Sequence, residues 1–182
     1  MMNNEHNIEL RLFNERDVED AIYWFTKEIE WMDWDAPWEK DDPFDANQYK
    51  ANKLKQIETR NMYQLQPRME IYLDGITHIG WVSHYLMNDN FEYDVEGKHV
   101  AIGLVIPEVK YRNLGFGSKA IQLYLDLVWS HGYQKVYLQT WSGNTPMIHT
   151  AIKIGFYEIN RFKDFRIIYG QKYDALTFVI EK

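Results

Sequence analysis

Cysteine is absent from the 182 residues. That excludes disulfides, thiolate metal sites and a cysteine nucleophile, and it fits a reducing cytoplasm. No apolar run reaches the roughly 18 residues that suggest a membrane span, so no membrane partner is expected. The start Met1-Met2-Asn3-Asn4-Glu5-His6 lacks the basic and apolar stretches of a signal peptide. The expected location is cytoplasmic. Positive charge is scarce: 20 Lys and Arg face 27 Asp and Glu, a formal net charge of −7. An acidic surface repels polyanions, which argues against nucleic acid. The six histidines lack His-x-x-x-His or similar spacing, so no metal site is expected. The length suits one domain over residues 1–182, large enough to bury a real core.

The acidity is concentrated. Residues 27–45 hold eight acids against Lys27 and Lys40, together with Trp31, Trp34 and Trp38. Acid with aromatic is a combination that suits a cation. A segment this long, with three tryptophans, reads as a functional loop or a solvated lid whose tryptophans pack inward.

Periodicity divides the chain into alternating elements without repeats. Ile8–Phe13 alternates as a strand, Asn14 and Asp17 stand where a helix cap is expected, and Val18, Ala21, Ile22, Phe25 and Ile29 fall at helical spacing. A polar helix is predicted over about 46–60. Met69–Leu73 and Ile76–Met87 read as a hairpin joined by Asp74-Gly75. A strand follows at His99–Ile106, where Gly103 suggests a bulge or a close backbone approach. An apolar helix is predicted over about 115–131, with Leu123, Leu127 and Trp129 as packing residues and Gly132 as its stop. Strand 135–140, a helix over about 146–154, and strands near 156–168 and 174–181 complete the order.

The most informative stretch is Arg112-Asn113-Leu114-Gly115-Phe116-Gly117-Ser118-Lys119 at the start of that apolar helix. The first turn of a helix has unpaired N–H groups and a partial positive charge, which attract phosphate. Gly115 and Gly117 let the backbone approach a ligand closely, and Arg112 and Lys119 add charge. Gly115-x-Gly117-x-x-Ala120 also satisfies a dinucleotide fingerprint, but the next strand, Lys135–Thr140, carries no acid to hold a ribose. A P-loop needs Gly-Lys-Ser/Thr, whereas the order here is Gly117-Ser118-Lys119.

Arg-x-x-Gly-x-Gly resembles the signature of the GNAT superfamily of N-acetyltransferases. A second block, Asn144 through Gly155-Phe156, resembles that superfamily's second cofactor-side helix. The two blocks and their context cover about residues 98–160. The resemblance implies an α/β (α+β) fold, a mixed, mostly antiparallel seven-stranded sheet with helices on both faces. It implies acetyl-CoA as cofactor, with the pyrophosphate on the backbone of Asn113 through Ser118 and the pantetheine arm along Leu104, Val105 and Ile106. The Val105 N–H would meet the thioester oxygen, and Asn144 would bind the arm or cap its helix. A homodimer through the C-terminal strands is common in the family, though no residue compels one here.

Three groups that the family uses for proton transfer are replaced, by Ala151, Met147 and Ala101. His99, on the same strand face as Ala101, is the preferred base, since its ordinary pKa suits deprotonating an ammonium. His84, Glu70 and Tyr111 are substitutes, and His149 reads as solvated. Residues 31–39 are similar to the aromatic-acidic-Pro segment of spermidine acetyltransferases. Asp33, Trp34 and Asp35, with Trp81 and Trp141 as walls, are therefore expected to hold a small cationic amine for N-acetylation. The alternatives are a protein N-terminal acetyltransferase of the ribosomal-protein type, acting on a peptide N-terminus, and a non-catalytic acyl-CoA-binding protein.

Overall fold

Apolar residues at period two on strands, and at i, i+3, i+4 on helices, leave each element one face to bury. The computed structural model describes residues 6–182. Seven strands form one sheet: β1 (Ile8–Leu12), β2 (Arg68–Leu73), β3 (Thr77–Met87), β4 (His99–Val105), β5 (Lys135–Trp141), β6 (Tyr157–Ile168) and β7 (Gln171–Glu181). Their order is β1-β2-β3-β4-β5-β7-β6, and only β4 and β5 run parallel. The helices are α1 (Asp17–Thr26), α2 (Met32–Asp35), α3 (Ala46–Glu58), α4 (Phe116–Ser130) and α5 (Thr145–Ile154). The expected mixed, mostly antiparallel seven-stranded sheet is present. Among the described residues no helix is long and apolar enough to cross a membrane.

On one face of the sheet, Ile71, Val82, Ile102, Leu138 and Phe178 pack against Ile121, Tyr124 and Val128 of α4 and Ala151 of α5. On the other, Trp81 and Val105 pack against Trp24 of α1 and Trp31. Helices therefore lie on both faces. Burying each large apolar side chain stabilises by about 1.5–3 kcal/mol relative to exposure.

One departure from a regular ladder creates the site. β4 and β5 are in register only at Val100–Val136, Ala101–Tyr137 and Ile102–Leu138. Beyond Ile102, β4 follows β3 to Val105 while β5 follows β7 to Trp141. The sheet parts between them.

Several expectations are corrected. Gly103 is not a bulge: β3 and β4 stay in register from Trp81–Val105 to Met87–His99. The irregularity falls between Ile71 and Tyr72, opposite Gly80. The hairpin loop includes Ile76, because Leu73 pairs with Thr77. Asn14 and Asp17 build the turn that leads into α1, where Asp17 accepts from the Asn14 N–H at 2.8 Å, and neither caps the helix. α1 stops at Thr26, and Ile29 opens a separate 3-10 turn. Leu123 lies on the outer side of α4, 36% exposed, whereas Phe116, Ala120, Ile121, Tyr124, Leu125 and Val128 make its buried face.

Candidate active site

The parting between β4 and β5 opens into a cavity of about 590 Å³. Its floor is Leu104, Val105 and Ile106, and the start of α4 closes one end. Residues Asn144 through Lys153 of α5 and its cap form one wall, and Glu30, Trp31, Trp34 and Asp35 form the opposite wall.

The α4 end presents unpaired backbone amides, the arrangement expected of an anion cradle. Asn113 and Gly115 both take positive φ, 60° and 86°, and so turn the chain sharply into the helix. Gly115 meets this demand without the Cβ strain other residues incur. Among the described residues, none of the six amides from Asn113 through Ser118 donates to an acceptor within the chain. They stand at the positive end of the 15-residue helix α4. Gly117 serves packing as well: an added Cβ would lie 2.8 Å from Leu104 Cδ2.

Arg112 sits beside this cradle, but its guanidinium holds the preceding turn. Nε donates to the Ile106 carbonyl at 2.7 Å, Nη2 to the Pro107 carbonyl, and Nη1 to Glu30 Oε2 at 2.5 Å. Lys119 and Leu114 are outside the cavity lining; Lys119 reaches the His6 carbonyl at 3.5 Å, and Leu114 is exposed. The Phe116 ring is buried in the core, leaving its N–H as the part at the cradle. Asn144 is buried and lines the cavity, and its Oδ1 caps α5 by accepting from the Met147 N–H at 3.1 Å.

The opposite wall separates the acidic candidates. Asp35 faces the cavity, but Asp33 does not: it pairs with Lys40 at 2.6 Å. Solvent can touch Asp35 from the open mouth, yet the protein around it pushes its pKa up from 3.8 to about 6. Asp35 is exposed at the mouth, so the main cause is desolvation by the protein packed around its carboxylate, followed by the charge of Glu39. Trp34 lines the cavity and is 39% exposed. Trp81 and Trp141 stand behind the walls. Trp81 is buried among Trp24, Trp31 and Val105, and Trp141 Nε1 donates to the Trp34 carbonyl at 2.7 Å.

The proposed bases are dispersed. His99 lies at the far end of β4, roughly 20 Å along the strand from Val105, and pairs with Asp89 at 2.8 Å. His84 faces α4, bonded to Tyr124 at 2.7 Å, and burial lowers its pKa to about 4. Glu70 is fully buried between Arg68 and His78. Tyr111 lines the cavity. So do Glu30, Thr150 and Lys153, to which the sequence assigns no role, and His149, which it reads as solvated. The i, i+4 spacing of His149 and Lys153 on one helix face was the available signal. Asp17, Asp20 and His78 have metal-ligand spacing, but they lie in the buried network of Glu70 and Tyr72 and already bond one another and their neighbours.

Comparison with known proteins gives this cavity a context. The acetyltransferase (GNAT) domain family matches residues 7–157. The chain belongs to this family of N-acetyltransferases, and acetyl-CoA is its cosubstrate. A spermidine N-acetyltransferase from Vibrio cholerae, solved with CoA and spermine, superposes with a TM-score of 0.73 at 17% identity, covering 96% of this chain and 95% of that one. RimL, a ribosomal L7/L12 alpha-N-protein acetyltransferase in complex with coenzyme A, gives 0.73 at 16% identity over 96% and 93%. The yncA acetyltransferase of Salmonella typhimurium, with acetyl-CoA, gives 0.67 at 16% over 96% and 94%. At these identities the likeness is one of fold. No curated protein sequence matches the chain.

Proposed function

We propose that this protein acetylates the primary amino group of a small cationic amine. The observation that carries the reading is the polarity of one cavity. Asn113, Gly115, Gly117 and Ser118, whose amides have no acceptor within the chain, line it together with the Asp35 carboxylate and Trp34. A diphosphate suits the amides and an ammonium ion the carboxylate and ring.

The residues present fit acetyl-CoA. The Asn113–Ser118 amides would hold its diphosphate, and the unpaired side of β4 at Leu104–Ile106 would hold the extended arm. Bound there, acetyl-CoA supplies a thioester whose carbonyl carbon accepts an amine nitrogen. Val105 N–H would polarise the thioester oxygen, a role that oriented donors perform without reorganising. Arg112 keeps the Ile106–Arg112 turn closed and ties it to Glu30, so donor and acceptor walls hold a fixed spacing. Trp81 and Val105 are cross-strand partners, and with Trp24 and Trp31 they back the acceptor wall.

Thiol release from acetyl-CoA tests the reading, with polyamines, aminoglycosides, amino acids and short peptides as acceptors. Turnover confined to polyamines and other small cations is expected. Turnover of peptides alone would move the assignment to a protein N-terminal acetyltransferase. Coenzyme binding without thiol release would make it a non-catalytic binding protein.

A further inference from the structure

We propose that Asp35 is the general base of the transfer, taking the proton from the ammonium acceptor. The inference rests on the amine reading above and adds a role to the residue that reading uses for binding.

Asp35 shares the cavity with Val105, over which the acetyl group would sit. It is the last residue of α2, and its position is fixed from both sides. The Trp141 indole holds the Trp34 carbonyl at 2.7 Å, and the Asp33–Lys40 pair at 2.6 Å ties α2 to the chain beyond it. Apart from His149, which lines the same cavity, the candidate carboxylates and histidines are committed or distant. Glu30 is bonded to Arg112 at 2.5 Å, Glu70 is enclosed by Arg68 and His78, His84 faces α4, and His99 stands at the far end of β4. Glu39 from its own segment and Tyr85 from β3 lie close enough to Asp35 for their charges to act on one another, while Glu30, Tyr111, His149 and Lys153 line the same cavity. Although Asp35 is open to solvent at the mouth, desolvation by the surrounding protein first, then Glu39, raise it from 3.8 to about 6, which strengthens it as a proton acceptor. The same proximity appears from the other side: burial and then the charge of Asp35 push Tyr85 up to about 12.

The acceptor R–NH3+ gives one proton to the Asp35 carboxylate, and the freed lone pair forms the N–C bond as the C–S bond breaks. The departing sulfur takes the second proton lost by nitrogen, and Asp35 returns its own to solvent through the open mouth. The products are an N-acetyl amine, a thiol and one proton.

The test uses the full chain and acceptors of falling basicity: 1,4-diaminobutane, ethanolamine and glycinamide. Wild-type kcat is expected to rise with pH to a plateau, with a midpoint near 6. Asp35→Asn should lower kcat for diaminobutane about 10²- to 10³-fold, less for glycinamide, with acetyl-CoA affinity by calorimetry unchanged. Asp35→Glu should restore part of the rate. If Asp35→Asn raises KM and leaves kcat intact, Asp35 only binds; the base assignment falls and the amine reading stands. A midpoint that survives Asp35→Asn but disappears in His149→Gln also overturns it. If the wild type binds acetyl-CoA but acetylates no amine, the amine reading fails and takes this inference with it.

Discussion

At Asp35 the folded chain binds a proton more tightly than the unfolded chain, since its pKa rises from 3.8 to about 6. Stability therefore falls as pH climbs through that interval, and the full penalty applies above it. Asp35→Asn is expected to raise the melting temperature near neutral pH, with the gain shrinking towards about pH 4; scanning calorimetry across pH checks this. A gain in stability alongside a loss of turnover is the usual signature of a strained functional group. Gly117 is a second residue-scale case. Gly117→Ala places a methyl group against Leu104 Cδ2, and Leu104 must then rotate over the cavity floor it helps to form. Leu104 Cδ2 ends a side chain that can turn aside, so the fold loses little stability, but acetyl-CoA affinity measured by calorimetry should weaken about tenfold, near 1.4 kcal/mol. Asp33 and Asp35 also explain a limit of sequence reading. They were paired as acceptor ligands, but α2 is helical, and residues two apart on a helix point about 200° apart. One reaches Lys40 while the other faces the cavity. A four-residue helix is too short for periodicity to reveal it.

At the scale of elements, α1 is bound to the sheet by a buried polar chain rather than by apolar packing alone. Arg68 donates to both Glu70 oxygens at 2.6 and 3.0 Å, and Glu70 meets His78 at 2.9 Å. His78 meets Asp20 of α1 at 2.9 Å, and the Tyr72 hydroxyl donates to Asp17. Burial alone would lower the His78 pKa, but the hydrogen bond to Glu70, the Glu70 charge and Asp20 raise it overall. Its contribution is thus fully present below the unfolded value, near 6.5, and is lost as pH rises through the higher folded value. Urea unfolding should show stability falling on the alkaline side, and His78→Gln should flatten that slope. Glu70→Gln leaves the buried Arg68 guanidinium short of its charge partner and should cost about 3–5 kcal/mol in the same assay. This chain was not legible in the sequence, since its α1 contacts join residues 55 and 58 positions apart. The turn into α4 was legible because Arg112 through Lys119 are contiguous, and a local turn needs no distant partner. For His99 the period-two face was read correctly, but the distance to the reaction depended on where β4 leaves β5, which only pairing reveals.

At the scale of the whole molecule, the net charge of −7 and the acidic wall draw cations towards the cavity mouth. Raising ionic strength should therefore increase KM for a cationic acceptor, while KM for acetyl-CoA follows the opposite charge and should not increase with it. Acetyl-CoA at a hundred times its Kd should add about 2.7 kcal/mol to unfolding stability. Where β4 and β5 diverge, the middle of the seven-stranded ladder keeps two half-dressed strand ends, each bonded on one flank only. An extended guest with amide groups of its own can lie in that berth as a borrowed strand. Deuterium uptake at Leu104 through Ile106 should then slow when the guest is in place, much as the interior of a continuous sheet is shielded.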